Sequence, residues 1–90
     1  MAVYRGRIGQ LDDTFAAGQE IIPLIVEKHQ LTNFYGLTKV GIQAPVGTRL
    51  KINEEPLRIG ATGIYELDNI VNILQLSFVN ETTALIDYVF

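Results

Sequence analysis

Lys39-Val40-Gly41-Ile42-Gln43-Ala44-Pro45-Val46-Gly47-Thr48-Arg49-Leu50-Lys51-Ile52 (residues 39–52) is the stretch from which the fold is read. Val40, Ile42 and Ala44 alternate with Gly41 and Gln43, and Leu50 and Ile52 alternate with Arg49 and Lys51. That period of two is what a strand with one buried face requires. Between the two runs, Pro supplies a φ of about −65° and Gly tolerates positive φ, so Pro45-Val46-Gly47 is a turn.

The same alternation continues towards the C-terminus. Asn53-Glu54-Glu55-Pro56 reads as a turn, Leu57-Arg58-Ile59 as a short strand, Gly60 to Gly63 as a bend and Ile64-Tyr65-Glu66-Leu67 as another strand turned by Asp68-Asn69. Ile70 to Val79 reads as the longest strand, with Leu74, Leu76 and Phe78 on one face and Val71, Ile73, Gln75 and Ser77 on the other. After Asn80-Glu81-Thr82, a last strand over residues 83–90 sets Ala84, Ile86, Tyr88 and Phe90 against Leu85, Asp87 and Val89. No Pro or Gly interrupts residues 64–90, which suits central strands. Six or more short strands punctuated by turns predict an all-β fold, a small antiparallel β-sandwich or barrel-like domain.

Towards the N-terminus the period is lost. In residues 19–31, Ile21, Ile22, Leu24, Ile25 and Val26 crowd around Pro23, and their β-branched character favours a strand at an edge or split in two. Residues 1–18 carry large apolar residues without a period, loosened by Gly6, Gly9 and Gly18. They read as an extended N-terminal arm, 1–18, preceding a β domain, 19–90. The segment reads either as a frayed terminus or as an arm that orders against a neighbouring subunit, and in the second case Tyr4, Ile8, Leu11 and Phe15, with the basic pair Arg5 and Arg7, are the expected interface residues.

Ninety residues at 10.0 kDa allow one domain with a thin core. The absence of cysteine excludes disulfides and thiolate chemistry. A net charge of −3 with scattered Lys and Arg lacks the basic face of a nucleic-acid binder. No run approaches the roughly 18–20 apolar residues of a membrane helix, and no apolar run follows Arg5 and Arg7 as in a signal peptide. Asn80-Glu81-Thr82 fits the N-glycosylation pattern but reads most simply as a turn.

The residues that carry chemistry elsewhere are isolated here. His29 is the lone histidine, without an evident partner for a metal or nucleophilic site. Glu54 and Glu55 are neighbours in a turn, whereas acid–base pairs come from separate elements around a shielded pocket. Gly60-Ala61-Thr62-Gly63 resembles a phosphate loop, but a strand follows it where the mechanism needs a helix N-terminus. The expectation is a protein with no catalytic residues, no cofactor and no metal, and without nucleic-acid or membrane partners.

The words Val40-Gly41-Ile42-Gln43-Ala44-Pro45-Val46-Gly47-Thr48, Ile52-Asn53, Ile59-Gly60-Ala61-Thr62-Gly63-Ile64-Tyr65-Glu66-Leu67 and Leu85-Ile86-Asp87-Tyr88 resemble, in order and spacing, small structural proteins of tailed bacteriophages and prophages. The resemblance covers about half of the chain and none of residues 1–38. It implies a non-enzymatic virion component and brings no catalytic residues with it. The expected role is a multicopy capsid decoration or head-accessory protein, a homo-oligomer docking on other virion proteins through its arm and sheet edges. Alternatives are a tail or baseplate protein, or a host-surface or carbohydrate-binding module using loops around Phe34-Tyr35 and Pro45–Thr48. Deleting residues 1–18 is expected to abolish assembly and leave the remaining domain folded.

Overall fold

The computed structural model describes residues 8–90, with the backbone alone at residues 69–71. In chain order the elements are β1 (Ile8–Phe15), α1 (Ile22–His29), β2 (Leu37–Gln43), β3 (Arg49–Ile52), β4 (Glu55–Arg58), β5 (Ile64–Ile73), β6 (Leu76–Phe78) and β7 (Thr82–Val89). Strands dominate and every pairing is antiparallel. One sheet has the order β1-β7-β2-β5 and the other β4-β3-β6. Buried residues of both sheets and of α1 form a single apolar cluster, in which Ile25, Leu37, Ile42, Leu50, Ile59, Ile73, Leu76, Phe78 and Ile86 are fully buried.

The turn chemistry of residues 39–60 is local. Gly47 has φ 87°, and the Thr48 hydroxyl donates to the Pro45 carbonyl at 2.6 Å. Asn53 and Glu54 both lie in the left-handed region, with φ 50° and 70°, so β3 and β4 are joined by a tight two-residue turn pairing Ile52 with Glu55. Two successive positive φ values match the right-handed twist of a hairpin. Pro56 therefore lies inside β4 rather than in the turn, and is tolerated because β4 is an edge strand.

Three further expectations are corrected. Residues 22–29 are helical. Pro23 sits in the first turn, where its missing N–H removes no helical bond, and Ile21, Ile22 and Ile25 form the buried stripe. The helix ends at Gln30, left-handed at φ 52° and ψ 48°, with Leu31 N–H bonded to the Val26 carbonyl at 3.0 Å. Lys28 and His29 in the last turn suit the negative end of the helix dipole.

The second correction concerns residues 64–79. Asp68-Asn69 is no turn: β5 runs from Ile64 to Ile73, with a register shift from Lys39↔Asp68 to Leu37↔Ile73. The break falls instead at Leu74-Gln75, where the chain passes from one sheet to the other. Asn53 holds this crossing. Its side-chain oxygen accepts the N–H groups of Leu74 (2.8 Å) and Gln75 (3.1 Å), its amide donates to the Asn72 carbonyl (2.9 Å), and its own N–H donates to the Gln75 carbonyl (3.0 Å). The crossing lets Ile73 and Leu76 both face the core and turns Leu74 outwards, 55% exposed. Of the strands in residues 64–90, only β7 is central.

The third correction concerns the arm. Residues 8–15 pair with β7 along their whole length, from Ile8↔Val89 to Phe15↔Thr82. They form an edge strand of the domain's own sheet, so the division at 18/19 is no boundary. After β1, Gly18 N–H bonds to the Phe78 carbonyl and Ile21 N–H to the Leu76 carbonyl, both at 2.8 Å, so the segment leading into α1 covers the edge of β6. The edge strand was missed because its inward residues, Gly9, Leu11, Asp13 and Phe15, include a glycine and an acid that blur the alternation. Removing residues 1–18 would strip a strand from the sheet; residues 1–7 are the informative truncation.

Two outcomes test the Asn53 turn. Asn53→Ala forfeits the side-chain bonds and puts a Cβ-bearing residue without local polar support at positive φ, and is expected to cost about 2–3 kcal/mol in urea unfolding. Glu54→Gly relieves a left-handed residue that makes no such bonds, and is expected to gain about 0.5–1 kcal/mol.

Candidate interaction surface

The four-stranded sheet has one face in the core and one face outwards. Registers align its outer side chains in rows. Ile8, Val89, Lys39 and Asp68 form the first, Gln10, Asp87, Gly41 and Glu66 the second, and Asp12, Leu85, Gln43 and Ile64 the third. Gly41 sits in the middle of the second row and contributes no side chain. An open trough of about 660 Å³ results, bounded by Ile8, Gln10, Lys39, Glu66, Asp87 and Val89.

Its polar contacts are partly satisfied. Gln10 Nε2 donates to Asp87 Oδ1 at 2.6 Å, and Lys39 Nζ lies 3.6 Å from Asp68 Oδ2. Across the three rows, four carboxylates (Asp12, Glu66, Asp68 and Asp87) face one ammonium, Lys39. Ile8 is 70% exposed, Ile64 is exposed, and Leu85 and Val89 are half-buried. The face is thus apolar and acidic in alternation.

The inner face fixes where β1 sits. Tyr88 lies across Gly9, and His29 Nε2 is 2.7 Å from the Tyr88 hydroxyl. A Cβ on Gly9 would stand 2.5 Å from that hydroxyl oxygen and 2.7 Å from His29 Nε2. Gly9 is therefore a slot for the Tyr88–His29 contact. Lys28 Nζ donates to the Gln10 carbonyl at 2.6 Å, tying the end of α1 to the same strand. His29 packs edge-on to Tyr88 and 5.0 Å from Phe90, which also meets Phe34 at 6.5 Å.

Burial, and secondarily the charge of Lys28, hold the His29 imidazole below its ordinary pKa, and burial raises the Tyr88 phenol. With His29 neutral, the Tyr88 O–H can donate to Nε2. An imidazolium must donate instead, and would leave the Tyr88 hydrogen to find another acceptor.

The expected interface residues divide. Tyr4, Arg5 and Arg7 lie outside the described residues. Ile8 is exposed at the start of β1. Leu11 is half-buried on the inner face, and Phe15 is buried against Phe78 at 5.9 Å between ring centroids. Leu11 and Phe15 are thus core residues, a correction with the same cause as the arm's. The outer-face residues Gly41, Glu66 and Asp87 were missed, because only the pairing of β7 with β2 and of β2 with β5 brings them into one row. In sequence they appear as ordinary polar positions of alternating strands.

Glu54 and Glu55 are both exposed, and Gly60 to Gly63 form a turn closed by Gly63 N–H to the Gly60 carbonyl at 3.0 Å, followed by β5. Phe34-Tyr35 and Pro45–Thr48 lie at opposite ends of β2, about 20 Å apart, and do not make one surface. Among the described residues, no group of three or more His, Asp or Glu is placed to hold a metal ion, and no helix is long and apolar enough to cross a membrane. Comparison with family models, curated proteins and solved structures finds no match.

Gly9→Ala is expected to destabilise the fold by about 1–3 kcal/mol in urea titration, the cost of overpacking. His29 supplies a pH dependence. Its pKa is depressed in the folded state, so the unfolded chain binds more protons, and stability drawn from neutral His29 is complete above about pH 6.5 and lost as pH falls through the folded value. The melting temperature should therefore fall between about pH 7.5 and about pH 5, and fall less in His29→Gln.

Proposed function

We propose that the protein is a non-enzymatic structural component of a bacteriophage virion, and within the particle a multicopy capsid decoration or head-accessory protein. The observation that carries the reading is the open outer face of the four-stranded sheet, apolar and acidic, beside the point where the N-terminal residues join β1. A face of this kind suits repeated docking against neighbouring protein.

The words that resemble phage structural proteins also meet in space. Val40–Gln43 pairs with Leu67–Ile64 on one side and with Tyr88–Leu85 on the other. Gly47 N–H bonds to the Ile59 carbonyl at 2.9 Å, and Ile59 N–H to the Thr48 carbonyl at 2.8 Å. Ile52-Asn53 supplies the hairpin turn and the clamp on the sheet crossing. The resembling residues thus specify one substructure centred on β2, and they lend the reading support as fold-determining residues.

Quantitative mass spectrometry of purified particles tests the role. Many copies per particle, retained with heads after tails are detached, is the expected result. Recovery with detached tails would assign the protein to the tail or baseplate instead. Absence from infectious particles would remove the virion role.

A further inference from the structure

The trough on the outer face has a chemistry that the chain itself can complement. Its floor is lowered by Gly41, where a guest backbone can approach closely. Ile8 and Val89 give it apolar ground, and Glu66 and Asp87 stand on either side of Gly41 in the same row. Glu66 makes no ion pair among the described residues. Residues 1–7, Met-Ala-Val-Tyr-Arg-Gly-Arg, hold two guanidinium groups, two large apolar side chains at Val3 and Tyr4, and no acid. Guanidinium pairs with carboxylate by parallel hydrogen bonds, which gives such a contact orientation as well as attraction.

Length and direction decide between a chain's own segment and a neighbour's. Seven extended residues reach at most about 25 Å. Four strands span about 14 Å, so one segment can cross the sheet from rim to rim. Ile8 is the end of β1 in the first row, level with Val89, Lys39 and Asp68. Followed towards the N-terminus, the strand axis leaves the sheet there, away from the row that holds Asp87 and Glu66. A chain filling its own trough must reverse direction immediately before Ile8; a segment from outside needs no reversal.

We propose that the trough takes residues 1–7 of a second copy of this chain, with Arg5 and Arg7 paired to Glu66 and Asp87. The inference rests on the role proposed above in one respect, that many copies stand side by side. The contact is heterologous, segment to trough, so repetition closes a ring or extends a chain of subunits.

Sedimentation velocity on the full chain tests it with two charge-reversed variants, Arg5→Glu/Arg7→Glu and Glu66→Lys/Asp87→Lys. The wild type should associate with concentration and dissociate with salt. Each variant alone should lose roughly tenfold or more in association constant. Mixed in equal amounts, the two should associate with each other, since the acidic trough of one takes the arginine segment of the other and the reversed pair is complementary in charge as well. Circular dichroism checks that each variant is folded. Should the Asp87 change disturb β1 through its bond to Gln10, Glu66→Lys alone serves in the same mixture. A wild type that is monomeric at all concentrations, a segment variant that associates like the wild type, or a mixture that associates no better than either variant alone would each overturn the proposal. Particles that contain the protein while the purified chain does not associate leave the virion role standing and remove this docking. A chain that associates as described but is absent from particles does the reverse.

Discussion

The fold depends on how the chain moves from one sheet to the other without leaving backbone groups unpaired, and the Asn53 side chain meets that requirement. An interruption between two strands frees N–H and C=O groups from the ladder, and at this exposed crossing a side chain rather than water alone holds them and fixes the path of the chain. Asn53 satisfies two of those donors and one acceptor with a single amide. The left-handed turn that places it there also closes the β3–β4 hairpin. One residue thereby joins a local event, the hairpin, to a distant one, the crossing at residues 74–75. With the crossing fixed, Ile73 and Leu76 both enter the core, and β5 stays in the four-stranded sheet, where Glu66 and Asp68 face outwards.

Around that constraint the two faces of β7 take different tasks. Its inner face, Thr82, Ala84, Ile86 and Tyr88, is buried. Tyr88 carries the contact with His29 that seats β1 over Gly9. Its outer face, Thr83, Leu85, Asp87 and Val89, is flanked by β1 and β2 and supplies one wall of the trough. The half-buried Leu85 and Val89 are therefore not a defect of core packing. They belong to the side of the sheet that the core leaves open.

The alternation of residues 39–59 was legible because both of its causes are local: period-two burial and turn residues whose dihedral preferences act within four positions. The hairpins and the short strands β3 and β4 follow from them. Helix α1 was not legible, since five crowded apolar residues around a proline satisfy either a buried strand or a short helix. The choice was made by packing, with Ile21, Ile22 and Ile25 directed into the core and Pro23 placed in the one turn that tolerates it. The candidate surface was legible only in part. Ile8 was recognised as an apolar residue in need of a partner, whereas Leu11 and Phe15 find theirs in the chain's own core.

By itself, then, the sequence determined an antiparallel β protein with a small cysteine-free core, and set turns at Pro45–Gly47, within Asn53–Pro56 and at Gly60–Gly63, the pairing of Ile52 with Glu55 narrowing the second to Asn53-Glu54. These depend on alternation and on backbone preferences, which neighbouring residues settle among themselves. The tertiary structure alone decided that residues 8–15 complete a sheet, that residues 22–29 wind into a helix and that Gly41, Glu66 and Asp87 share a row. Each of these outcomes depends on pairing between strands far apart in the chain, whose register is set by burying one common face.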